Sequence, residues 1–177
     1  MTTVDLTADE IHQIGLDEVA RIQGEMETIK QAVGFDGTLQ EFFVFMREDE
    51  QFYYPNTDEG RQAYLDLNNE YLDAITLKLP DYFGRLPKAA LEVRRVEAFR
   101  EQAGAAQHYN AGTPDGSRPG VFYSHMSDMS TLPIFQLEDV AYHEGNPGHH
   151  MQISIQQEHE EVQRFRTQYR TTDYSED

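Results

Sequence analysis

The stretch Tyr142–Gln152, "YHEGNPGHHMQ", holds two helix-compatible halves separated by Gly145-Asn146-Pro147-Gly148. How that interruption is read decides the fold of the C-terminal part of the chain. In the zinc-peptidase pattern H-E-x-x-H the two histidines stand about 40° apart round the helix and ~6 Å apart along it, so both imidazoles can meet one ion. Here the fourth residue after His143 is Pro147, and the next histidines, His149 and His150, come six and seven residues on. In an unbroken helix His149 would be rotated by ~240° and His150 would sit ~10.5 Å farther along, too distant for zinc–nitrogen bonds of ~2.0–2.1 Å. A straight helix therefore makes no metal site from these residues.

The interruption itself offers a route. Asn146 is a good N-cap, Pro147 suits a first helical position, and a residue before proline avoids helical dihedrals. One helix is expected to end near Glu144 or Gly145 and a second to start at Pro147. Gly145 and Gly148 permit a tight excursion that swings His149 back beside His143, as if two residues were looped out. Glu144 would then stand next to the ion without binding it, placed as a base toward a water that the metal activates. A plain helix–turn–helix corner with hydrogen-bonded histidines explains the same residues without a metal.

Working outward, Pro133 opens a helix that carries Leu137, Val140 and Ala141 into the motif, and the helix after the break extends to about Arg170. Upstream, Val121–His125 and Ala105–Asn110 flank the polar loop Thr113–Gly120, which reads as a hairpin, and Leu91, Val93 and Val96 mark a further strand. The first 80 residues read as helices. Thr7-Ala8-Asp9-Glu10 is a capping box leading into Ile11, Gly15, Val19, Ile22, Met26, Ile29 and Val33, with Gly34 as the stop. A second helix covers Leu39–Met46, and a third follows Asn56-Thr57-Asp58 toward Leu79 and ends at Pro80. The fold expected is mainly α (α+β): 1–80 helical, 86–126 strands and hairpin, 133–170 metal-motif helices, as a single domain or an excised catalytic-core segment of 1–177.

Composition narrows the chemistry. The 14 basic and 32 acidic residues, a net charge of −18, argue against nucleic acid and anionic membrane surfaces as partners. With no cysteine, thiol catalysis and thiolate ligation are excluded, and a transition-metal site must use His, Asp and Glu. No run is long and apolar enough to span a membrane, and a cytoplasmic location is expected. Serine-hydrolase elbows and phosphate-binding glycine loops are absent.

The string "HEGNPGHHMQ" resembles the H-E-x-x-P-G-H-x-x-Q motif of the bacterial family catalogued as domain of unknown function 885, helical zinc metallopeptidases similar in layout to gluzincins. "LTADEIHQIGLDEVARI" at 6–22, "LPK" at 86–88 and "PDGSRPGVFY" at 114–123 are similar to the family's leading helix, strand approach and hairpin. The resemblance implies that His143 and His149 bind a zinc ion, that Glu144 is the catalytic glutamate, and that Gln152 supports them. It implies a third ligand in a tyrosine-x-glutamate-glycine-tryptophan stretch, which "YSED" at 174–177 resembles; Glu176 takes that role, although Asp177 stands where the family has glycine. Family members are several times longer, so the chain looks like a central fragment of one. The substrate implied is a peptide or small amide, and other divalent metals fit the same donors.

Besides Gln152, three residues are candidates for support. Asp139, four residues before His143, could accept the imidazole's second N–H. His150 is an alternative second ligand or a donor to a developing oxyanion, and Tyr123 could polarise a substrate carbonyl. The alternative reading of the whole chain is a non-catalytic helical module with a structural metal site or no metal.

Overall fold

The computed structural model describes residues 4–159 together with 163, 165 and 167. Six helices and three strands are described: α1 (Ala8–Ala32), α2 (Leu39–Glu48), α3 (Asp58–Thr76), α4 (Leu79–Tyr82), β1 (Leu91–Arg95), β2 (His108–Asn110), β3 (Gly120–Ser124), α5 (Leu137–Glu144) and α6 (His149–Gln157). The protein is mainly helical with one small sheet, the α+β class expected. It divides into two compact units, Met1–Asp49 and Glu50–Asp177.

In the first unit both helices start from capping boxes. Thr7 Oγ1 accepts the Glu10 N–H and the Glu10 carboxylate accepts the Thr7 N–H; Thr38 and Glu41 repeat the arrangement. Gly34, at φ 73°, stops α1 as expected. The Phe35, Phe42 and Phe45 rings lie 5.2–6.3 Å apart at the foot of the unit. The apolar period of α1 forms a helix, yet Val19 and Ile29 on it are more than half exposed.

The second unit positions the motif. Thr57 caps α3, which ends at Thr76. Pro80, read as the end of that helix, instead sits in the first turn of α4, where its missing N–H costs nothing. The sheet runs β1-β3-β2, with β2 antiparallel to β3 as the hairpin reading requires and β1 parallel to β3. Helix α5 lies between two apolar clusters, its Leu137 packing with Tyr64, Met126, Met129 and Leu132, and its Ala141 with Leu72 and Phe122. Leu137, Ala141 and Glu144 recur at spacings of four and three, so the face that fills the core ends in a buried carboxylate.

Candidate metal centre

The backbone between α5 and α6 explains how the histidines meet. The Gly148 N–H donates to the Tyr142 carbonyl at 3.0 Å, six residues back, where a regular helix would bond four back. The His150 N–H donates to Gly145 O at 3.1 Å, and α6 resumes at His149 with Gly148 as its N-cap. Residues 145–148 thus loop out and return the chain to the end of α5. A side chain at Gly148 would place its Cβ 2.0 Å from the His143 carbonyl oxygen and 2.5 Å from that of Tyr142. At Gly145 a Cβ would meet Leu72 at 2.5 Å. Only glycine permits this approach. The expectation that Asn146 caps the second helix and Pro147 begins it is corrected, because the close return of Gly148 delays the restart by two residues. Asn146 is buried instead, its Nδ2 donating to Thr76 Oγ1 at 3.4 Å.

The looped-out turn places the imidazoles of His143 and His149 edge to face, with ring centroids 4.5 Å apart. One ligand atom from each of His143, Glu144 and His149 lies within 4.8 Å of the others. Among the described residues this is the one group of three potential metal ligands so gathered. His143 is exposed, His149 half-buried and Glu144 buried at 6% exposure. Two imidazoles and a carboxylate suit zinc and related divalent ions, and the separation is that of donors converging on one point; the residues present fit such an ion.

The other candidates divide. Both ring nitrogens of His150 are engaged by the protein: Tyr109 Oη stands 3.0 Å from Nδ1 and the Ala89 carbonyl 3.1 Å from Nε2. With a carbonyl at Nε2, that nitrogen carries the proton and Nδ1 accepts from the phenol. At 1% exposure His150 is a core residue, and burial holds its pKa below the ordinary value. Tyr123 stacks on His108, its cross-strand partner, at 5.4 Å. Its neighbour Phe122 packs on Ala141 of α5, so Tyr123 projects from the sheet face opposite to α5. Asp139 is exposed on α5. Gln152 is exposed on α6. Glu176 lies outside the described residues.

A cavity of about 330 Å³ adjoins the centre, with His143 and Glu144 on its floor and the segment 104–107 as one wall. Sequence reading missed this cavity, since its lining comes from three distant parts of the chain. Gln107 is part of it: its Oε1 accepts the His125 N–H at 3.1 Å, and its buried Nε2 has no acceptor among the described residues. The wall is also tied at its base, where Arg95 donates twice to the Glu101 carboxylate and Glu101 accepts the Met126 N–H at 2.8 Å. The Arg95 guanidinium keeps the Glu101 carboxyl below the usual carboxylate range.

Comparison with known proteins adds three findings. Residues 1–176 match a family described as bacterial protein of unknown function (DUF885). The chain is similar to the crystal structure of a candidate lipoprotein from Colwellia psychrerythraea, with 36% identity and a TM-score of 0.79 over 88% of this chain and 27% of that one. It therefore spans about a quarter of that protein's length. No curated protein matches. Among the described residues no helix is long and apolar enough to cross a membrane.

Proposed function

The chain belongs to the bacterial family of unknown function DUF885, and from that premise we propose that it carries the metal-binding core of a zinc-dependent hydrolase acting on peptides or small amides. The observation that carries the reading is the return of His149 to within 4.5 Å of His143, across six residues and a helix break, with the Glu144 carboxylate alongside. A turn built on two close-packed glycines is a costly way to join two helices, and it is accounted for if the two imidazoles serve one ion.

A bound zinc supplies Lewis-acid polarisation of a scissile carbonyl and a nucleophile from water at neutral pH. His143 and His149 would hold the ion through ring nitrogens. Glu144, buried at the end of the core face of α5, takes the proton from the attacking water and returns it to the departing amine. Its burial keeps solvent from competing for that proton. Glu176 completes the ligand set in this proposal, leaving a position open to water and substrate. In the longer relative, the roughly three quarters of its length that this chain does not span would supply further walls for substrate.

A second reading follows from one distance. The Glu144 carboxylate is near enough to both imidazoles to be a ligand itself, which would make a closed, structural site. Glu144→Gln separates the two. As a base, its loss abolishes peptide hydrolysis in the full-length context and leaves the metal in place; as a ligand, its loss removes the metal.

A further inference from the structure

We propose that the cavity beside His143 and Glu144 is a side-chain pocket that selects an uncharged, apolar substrate side chain of leucine to phenylalanine size; this rests on the hydrolase reading above. Its volume of about 330 Å³ lies at the small end of ligand sites, which run from ~300 to ~1,000 Å³. That suits one side chain and its adjoining backbone. The apolar lining comes from Tyr64, Ala105, Ala106, Leu132, Pro133 and Val140. The polar wall groups, Gln107, Thr131 and Gln136, are neutral.

Charge decides the class. Among the described residues the lining holds no Lys, Arg or Asp, and burial pushes the Tyr64 phenol up to about 12, so it stays neutral at physiological pH. A charged side chain would lose its hydration against the apolar wall of Tyr64, Leu132, Pro133 and Val140. An apolar side chain loses nothing on entry and gains burial. Size is set by Ala105 and Ala106, whose methyl groups leave the room that larger residues would close. The wall is pinned by Gln107 to His125 and by Glu101 to Arg95, so the pocket is largely preformed.

The test is a titration of the metal-free and zinc-loaded protein with the N-acetyl amides of phenylalanine, leucine, alanine and lysine, followed by chemical-shift changes of the Ala105 and Ala106 amides. The phenylalanine and leucine amides are expected to bind roughly tenfold or more tightly than the alanine amide, with lysine no better than alanine. Ala106→Leu and Val140→Phe are expected to remove that preference while zinc content matches the parent. Ala106 is exposed on a loop, so its variant decides the matter should Val140→Phe misfold. Equal binding of the four amides, preference for lysine, or an unaltered preference in Ala106→Leu overturns the pocket. A preference retained in a chain that takes up no zinc overturns the hydrolase reading and leaves the pocket standing.

Discussion

Replacing Gly148 by alanine should disable the centre without touching a ligand. The new Cβ would lie 2.0 Å from the His143 carbonyl oxygen and 2.5 Å from the Tyr142 carbonyl oxygen, both backbone atoms. Carbon and oxygen rest at about 3.3 Å or more, so the turn must open by more than an ångström. Opening it breaks the Gly148 N–H bond to Tyr142 O and carries His149 away from His143. Overpacking against atoms that cannot yield costs about 3 kcal/mol. With a urea slope of ~2 kcal/mol/M, the unfolding midpoint of this unit falls by about 1.5 M. Zinc uptake, measured by elemental analysis after dialysis, should fall with it. Gly24→Ala is the control: nothing lies within 4 Å of its Cβ in mid-helix, so it should stabilise by up to about 1 kcal/mol. If Gly148→Ala melts with the parent and takes up the same zinc, the looped-out turn does not hold the two imidazoles together.

Other substitutions probe the surrounding frame. Leu137→Ala empties a fully buried position between α5 and the Tyr64–Met129 cluster and should cost 2–5 kcal/mol in denaturant unfolding. Tyr109→Phe removes the phenol that donates to His150 Nδ1 and should cost about 1–2 kcal/mol, with no change in zinc content. Glu101→Gln breaks the tie of the cavity wall to half-exposed Arg95 and should cost about 1–3 kcal/mol at pH 7. Because the folded pKa of Glu101 is depressed, its contribution is complete above about pH 4.5 and is lost as pH falls through the lower folded value. The parent and variant stability curves should therefore converge in acid, which urea melts between pH 7 and 3 would show.

Much of this architecture is written in local signals. Thr7 with Glu10, Thr57 before α3 and Gly34 after α1 bracket their helices because capping is settled within one turn of chain. The hairpin around Asp115-Gly116 is similarly local. The parallel pairing of β1 with β3 is not, since it depends on which strand edge the chain meets some thirty residues later. Pro80 shows how one signal serves two outcomes, closing a helix or opening one. In the centre, the spacing of His143, Pro147 and His149 reveals that a break is needed. It does not reveal that Gly148, not Asn146, caps the restart, because that follows from a backbone contact six residues long. The core position of His150 was equally hidden, as its partners Tyr109 and Ala89 lie some forty and sixty residues away.

The most direct test is X-ray absorption at the zinc edge on the metal-loaded protein. Two imidazole nitrogens at about 2.0–2.1 Å, reduced to one in His143→Ala and in His149→Ala, would place both rings on one ion. A zinc spectrum without imidazole scattering, or one that His149→Ala leaves unaltered, would contradict it.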